Sequence, residues 1–62
     1  MRVEFEFCPG QKIKIIAYGL HYDGRILRNY VGRDGFIFHE VEYAAEGKIE
    51  RNDFYPDDLQ AI

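Results

Sequence analysis

Short runs in which apolar and polar residues alternate, each closed by a glycine-marked turn, most constrain the fold of this chain. In the longest run, residues 36–43, one face carries Ile37, His39, Val41 and Tyr43, and the other carries Phe36, Phe38, Glu40 and Glu42. This period of two is typical of a strand with one buried face. No stretch sustains the 3.6-residue apolar period of an amphipathic helix. The sequence therefore predicts an all-β fold with the first of these faces inward.

The remaining runs predict five or six short strands. They lie at residues 2–7, 12–18, 25–31, 36–43 and 48–55, with a brief closing strand at 60–62. The run 25–31 breaks alternation because Ile26 and Leu27 are adjacent, which predicts a β-bulge. Ile49 and Phe54 differ in parity, so we expect a second irregularity in their strand. Pro56 to Leu59 is typical of a single helical turn, where proline is tolerated at the start.

The 62 residues form one domain, with residues 1–8 as an extra strand and 10–62 as the body of a small barrel. A chain this short has a marginal core. One cysteine excludes an internal disulfide, so ten aromatic residues or a homodimer would have to supply stability. The chain has no apolar run long enough to span a membrane and no signal-peptide pattern, and we expect a cytoplasmic protein.

Charge is divided unevenly along the sequence. Residues 1–33 carry six basic and three acidic residues, and residues 34–62 carry two basic and eight acidic ones, which together give −3. This asymmetry indicates either a charged interaction surface or charges that pair across neighbouring strands.

Four segments together resemble an SH3-like barrel of the Tudor or KOW kind. They are GQKIKI at residues 10–15, YDGRI at 22–26, VEY at 41–43 and FYPDDL at 54–59. The chain is also similar to short SH3-like proteins of phage and prophage genomes. The resemblance covers residues 10–62 and implies a five- to six-stranded barrel with a one-turn helix before the last strand. It names no function, since one fold hosts many.

The type II dihydrofolate reductases share this pattern, but the chain departs from it where their chemistry takes place. The family's active-site Gln-Ile-Tyr-Pro would fall on residues 53–56, where Asp53 and Phe54 replace the first two residues. The family's first-strand lysine would fall near Ile15. We therefore expect no enzyme activity.

The polar residues give no candidate for catalysis or for a metal or cofactor. Asp57 and Asp58 follow Pro56, where carboxylates cap a helical turn. His39 is predicted to be a partly buried histidine with a hydrogen-bonded ring. Cys8 lacks the basic neighbourhood of a reactive thiolate. The scattered histidines and cysteine do not have the spacing of a metal site.

Aromatic residues give the main hypothesis, which is binding of a protein partner. If Val41 faces inward, Phe36 and Phe38 face outward and form an apolar patch, and such patches mark interfaces. Tyr22 and Tyr55 are the other predicted contacts. Either the N-terminal strand, with Val3, Phe5 and Phe7, covers this patch within one chain, or a second subunit does.

Two alternatives use other residues. A basic stripe of Lys12, Lys14, Arg25 and Arg28 predicts a nucleic-acid-binding module, although the acidic pI near 5.2 disfavours it. The resemblance to Tudor domains implies an aromatic cage for methylated lysine or arginine, with Tyr18, Tyr22 and Tyr43 as candidates and Tyr55 nearby.

Overall fold

The computed structural model describes residues 4–62 and contains one antiparallel sheet of five strands. The strands are β1 (Lys12–Ile15), β2 (Tyr22–Val31), β3 (Ile37–Ala45), β4 (Lys48–Phe54) and β5 (Leu59–Ala61). Their order across the sheet is β4-β3-β2-β1-β5, so consecutive strands are neighbours except that β5 returns beside β1. Short 3₁₀ turns at Ala17–Gly19 and Pro56–Asp58 are the helical elements of the described chain. The predicted all-β fold, with a helical turn just before the last strand, is confirmed.

The β2–β3 hairpin forms the centre of the sheet, and its turn follows the predicted glycine pattern. Gly32 donates its N–H to the carbonyl of Phe36 at 2.7 Å, and Gly35 donates to Gly32 at 3.0 Å. Gly35 has a φ of 87°, a left-handed conformation that glycine adopts without steric cost. This closure places Val31 opposite Ile37 and Tyr30 opposite Phe38.

The predicted bulge in β2 is present. The pairing with β3 shifts between Ile26 and Arg28, so Leu27 is the extra residue. Before the bulge Ile26 faces inward opposite Val41, and after it Asn29 faces inward opposite His39. One inserted residue therefore lets both halves of an irregular sequence present the correct face to the core.

The core lies on one face of the sheet, which we call the inner face. Its aliphatic centre is fully buried and consists of Ile13, Ile15, Ile26 and Val41. Phe7, Phe54 and Leu59 extend it, and Tyr22 and Tyr43 pack against its side. Each buried side chain of this size contributes about 1.5–3 kcal/mol relative to exposure, which is why alternation in sequence translates into a fixed sheet register.

Two predictions for local structure were wrong. β4 pairs with β3 in continuous register from Lys48 to Phe54, so it has no irregularity. Ile49 and Phe54 differ in parity because they lie on opposite faces of the strand. Phe54 is in the core, whereas Ile49 is 65% exposed on the outer face. The chain leaves β1 at Ile16, and Ala17–Gly19 form the first 3₁₀ turn rather than an extension of the strand.

The extra N-terminal strand is not formed over its described part. Residues 4–8 are irregular, and Arg2 and Val3 lie outside the described residues. Phe7 is nevertheless buried, with a side-chain contact to the core in place of a ladder of backbone hydrogen bonds. Alternation alone predicted a strand here, whereas the segment uses its aromatic side chains to pack.

The second 3₁₀ turn is capped as its sequence predicts. The backbone N–H of Tyr55 donates to the carboxylate of Asp58 at 3.3 Å. The N–H of Asp58 donates to the carbonyl of Tyr55 at 2.9 Å. Asp58 also accepts a hydrogen bond on its carbonyl from Ile16 at 2.8 Å, which ties this turn to the first one. Asp58 therefore caps this turn, as predicted for it.

Candidate functional site

Four aromatic side chains lie together at one end of the outer face of the sheet. We call them the aromatic cluster: Tyr30, Phe36, Phe38 and Tyr55. Tyr30 stacks on Phe38 with ring centroids 5.6 Å apart. The ring of Tyr55 lies 4.7 Å from Phe38 and 6.1 Å from Phe36. The rings therefore form one continuous contact series, with Phe38 at its centre.

Strand register explains why these rings meet. Tyr30 and Phe38 are directly opposed on β2 and β3, so both project from the same face. Tyr55 follows the last residue of β4, one position beyond the pair of Phe54 and His39, so it lies next to Phe38. Phe36 precedes β3 by one residue and completes the row.

The aromatic cluster is accessible to a partner molecule. Phe36 is 55% exposed and Tyr55 is 47% exposed, whereas Tyr30 and Phe38 are partly buried by their neighbours. A β-carbon at Gly32 would lie 2.8 Å from the edge of the Phe38 ring, so the missing side chain there makes room for that ring. The rings thus form a supported apolar surface rather than four separate side chains.

Charged groups border the aromatic cluster. A hydrogen bond to the carboxylate of Asp53, followed by burial and the negative charge of Asp53, raises the pKa of Tyr30 to about 12. The guanidinium of Arg28 lies over the Tyr30 ring, 5.6 Å from its centroid, and forms an ion pair of 2.9 Å with Glu40. The phenol of Tyr30 is therefore protonated at neutral pH.

The structure brings together three of the four predicted partner-binding residues. Phe36, Phe38 and Tyr55 belong to the aromatic cluster. Tyr22 does not, because it stacks on Tyr43 at 5.7 Å and packs against the core. Tyr22 lies opposite Ile15 at the other end of β2, which removes it from the surface that the other three share.

Tyr30 was missing from the predicted partner-binding set. The sequence contained the signal, because a turn that pairs Val31 with Ile37 also pairs Tyr30 with Phe38. That inference required the hairpin register. Because the bulge changes which residues of β2 face inward, alternation alone did not show on which face Tyr30 lies. Counting residue pairs from the glycine turn, instead of following alternation along the whole strand, would have placed Tyr30 beside Phe38.

The N-terminal segment, which was one of the two predicted covers of Phe36 and Phe38, packs elsewhere. Phe5 and Phe7 place their rings edge-on against His39, at centroid distances of 6.3 Å and 5.3 Å. Phe36 keeps more than half its surface exposed. In residues 4–62 the N-terminal segment thus closes the inner end of the core and leaves the outer aromatic cluster open.

His39 holds this N-terminal segment through Asn29. The Asn29 amide donates to the carbonyl of Phe7 at 2.6 Å, so its oxygen faces Nδ1 of His39, also at 2.6 Å. Nδ1 is therefore the protonated nitrogen, and Nε2 is buried without a hydrogen-bond partner. Burial lowers the pKa of His39, and the charge of Glu6 partly opposes this. The expected hydrogen-bonded histidine is present and fully buried, deeper than predicted.

The four residues of the predicted basic stripe are interleaved with acids. Lys12 lies opposite Arg25, which is the one adjacent basic pair. Lys14 lies opposite Asp23, Arg25 opposite Glu42, and Arg28 is paired with Glu40. Lys12 and Arg25 line a shallow depression of about 360 Å³ that also includes Asp23 and Glu42. Its walls carry both signs of charge.

Other site types find no support among residues 4–62. No group of three histidine, cysteine or carboxylate residues there is arranged to hold a metal ion. Within the same residues, no helix has the length and apolar character needed to cross a membrane. Cys8 is an exposed free thiol.

Comparisons with protein-family models, with curated proteins and with solved structures found no match.

Proposed function

We propose that this chain is a non-enzymatic, SH3-like interaction module that binds a protein partner through the aromatic cluster. The observation that carries the proposal is the continuous series of ring contacts, which ends in two aromatic side chains that are about half exposed. Aromatic residues are enriched at protein interfaces because they bury a large area at a low cost in side-chain entropy.

The SH3-like assignment is part of the proposal. The 3₁₀ turn before β5 supports it, as does the placement of β5 beside β1 in a five-stranded sheet. The similarity to short phage and prophage proteins of this type stays a prediction, and so does a cytoplasmic location.

The chemistry around the aromatic cluster favours a partner segment that combines apolar and basic side chains. Asp53 borders Tyr30, and Asp57 lies two residues after Tyr55 in an exposed position. Asp34 is adjacent in sequence to the Gly35–Phe36 segment and accepts the Phe36 N–H at 3.5 Å. Cations are attracted both to such carboxylates and to the faces of aromatic rings.

A displayed library of random peptides, selected against the purified protein, tests this proposal directly. We expect selected peptides to contain an apolar or aromatic residue next to lysine or arginine. Their affinity should fall at least tenfold in the double variant Phe36→Ala/Tyr55→Ala. Tyr18→Ala is the matched control, since Tyr18 is 94% exposed but lies outside the cluster. Equal losses in the control and the double variant would contradict the proposal.

Nucleic-acid binding is the alternative with less support, because acidic residues oppose most of the basic stripe. A salt-sensitive mobility shift with DNA or RNA that disappears in Arg25→Ala/Arg28→Ala would favour it. We expect no such shift at low salt.

A further inference from the structure

The strand β4 forms one end of the sheet and is unusually open. Within residues 4–62 its only strand partner is β3. Every residue from Lys48 to Asp53 is exposed, and only Phe54 is buried. The backbone groups that point away from β3 therefore form an edge to which another strand could add. Natural edge strands usually avoid such pairing by means of charge, so the distribution of charge along β4 decides what can bind.

The charges of β4 are complementary to a second, antiparallel copy of β4. A two-fold axis perpendicular to a continuous sheet keeps each residue on its own face, so residues of equal parity oppose each other. With the axis at Asn52, Arg51 lies opposite Asp53 of the second copy, and the same contact occurs twice. Opposite charges in directly opposed positions stabilise a strand pair.

The apolar residues fit the same register. Ile49 then lies opposite Tyr55 of the second copy, and both side chains project from the outer face. They are among the exposed large hydrophobic residues, at 65% and 47% exposure. Tyr55 has extended backbone angles (φ −75°, ψ 155°), so the pairing can continue to it past the last residue of β4. Two apolar contacts would thus flank the two ion pairs.

Neighbouring registers are unfavourable. An axis at Glu50, Arg51 or Asp53 places that residue opposite its own copy, and like charges in direct opposition are destabilising. An axis at Ile49 places no charged residue opposite its own copy, but the paired segment would then run into the β3–β4 turn. Glu46 and Gly47 there have φ values of 53° and 78°, which are not extended. That register would pair three residues of each strand, so the Asn52 register is favoured.

We propose that two copies of the chain associate by antiparallel pairing of their β4 edges, centred on Asn52, and form one ten-stranded sheet. Tyr55 belongs both to this contact and to the aromatic cluster, whereas Phe36 and Phe38 of each copy stay on the open outer face. The charge-reversal variants at residues 51 and 53 therefore test the dimer separately from the proposed function. A single pair of edge strands buries little surface, and interfaces below about 1,200 Å² are weak or transient. The dimer is therefore expected to dissociate on dilution.

Charge-reversal variants test the register. Analytical ultracentrifugation across micromolar to millimolar concentrations should show a dimer for the native chain. Arg51→Asp and Asp53→Arg should each be monomeric, because each variant opposes like charges. An equimolar mixture of the two should form a heterodimer, since every opposed pair is then of opposite sign. The double variant R51D/D53R should dimerise by the same reasoning.

Controls separate loss of pairing from loss of folding. Arg51 also forms an ion pair of 3.1 Å with Glu42 in its own chain, so circular dichroism must confirm that each variant is folded. Recovery of association in the mixture would itself show that both chains fold. Lys48→Glu reverses a charge that has no charged residue opposite it and should leave the dimer unchanged. A native chain that is monomeric at millimolar concentration, or a mixture that does not associate, would overturn the proposal.

Discussion

Asn29 connects the N-terminal segment with β3 at the inner end of the core. Its amide joins two polar groups that would otherwise lack partners, the Phe7 carbonyl and Nδ1 of His39, each at 2.6 Å. Neither partner was apparent in sequence, because the pairing of Asn29 with His39 follows from the bulge. A buried polar group left without its hydrogen bond costs about 1–3 kcal/mol.

We therefore expect Asn29→Ala to lower the free energy of unfolding by about 1–3 kcal/mol. Asn52→Ala is the matched control. The Asn52 amide also donates a side-chain hydrogen bond, to the Tyr43 hydroxyl at 2.8 Å, but in an exposed position. The control should change stability by less than about 0.5 kcal/mol. Urea denaturation at low protein concentration measures both, and equal effects would contradict the importance of the Asn29 bridge.

The lowered pKa of His39 leads to a prediction of how the free energy of unfolding depends on pH. Its pKa is lowered in the folded state, mainly by burial, so the unfolded chain binds the proton more readily. The contribution of His39 is therefore fully present above the unfolded pKa of about 6.5 and is lost as pH falls below it. Urea titrations between pH 5 and 7.5 should show this loss in the native chain and in His21→Gln, whose histidine is exposed. A similar slope in His39→Leu would contradict the assignment.

The ionisation of Tyr30 should depend on the Asp53 carboxylate. The Asp53 carboxylate raises its pKa to about 12, so Asp53→Asn should move it toward the usual value near 10. Because the folded pKa is raised, this contribution to stability is complete below about pH 10 and is lost as pH rises through 12. Nuclear magnetic resonance of ¹³C-labelled tyrosine rings measures the ionisation of each residue. An unchanged Tyr30 pKa in Asp53→Asn would contradict the hydrogen bond.

At the scale of elements, the contact between β2 and β3 limits which side chains fit between them. A β-carbon at Gly24 would lie 2.8 Å from Cγ1 of Val41 and 2.9 Å from the carbonyl oxygen of Glu42. The second of these atoms belongs to the backbone and cannot rotate away. At Gly32 the nearest atom is the edge of the Phe38 ring, which can turn.

Gly24→Ala should therefore destabilise the protein by about 1–3 kcal/mol, the usual cost of overpacking a core. Gly32→Ala should cost less and should instead shift the ring resonances of Phe38. Denaturation curves of the two variants, with ¹H spectra of the aromatic region, distinguish these effects. A larger loss of stability in Gly32→Ala than in Gly24→Ala would contradict the packing described at β2.

Elements with strict alternation were predictable from sequence, and irregular ones were predictable only in part. The faces of β3 and the bulge in β2 followed from apolar periodicity, and Asp58 followed from turn chemistry. The N-terminal segment alternates equally well but packs by Phe7 without forming a strand over residues 4–8. Alternation predicts which side chains lie on the same face. It does not predict whether the edge of another strand is available for the segment to pair with.

At the scale of the whole molecule, the uneven charge is partly paired within the sheet. The ion pair Arg28–Glu40 joins a basic residue of the first half of the sequence to an acidic residue of the second, and Arg25 lies opposite Glu42 on the neighbouring strand. The ion pair Arg51–Glu42 lies within the acidic half, so pairing across strands accounts for part of the asymmetry. Three of the four residues of the aromatic cluster were predicted, since parity placed Phe36 and Phe38 outward and Tyr55 was expected at the end of its strand. The contribution of Tyr30 required the three-dimensional register.

The most direct test of the account is a binding map on the whole protein. A ¹⁵N- and ¹³C-labelled sample is titrated with a peptide selected from the displayed library, and shift changes are followed residue by residue. We expect the largest changes at Tyr30, Phe36, Phe38 and Tyr55, and no change at Lys12 and Arg25. Changes concentrated at Lys12 and Arg25, with the aromatic cluster unmoved, would contradict it.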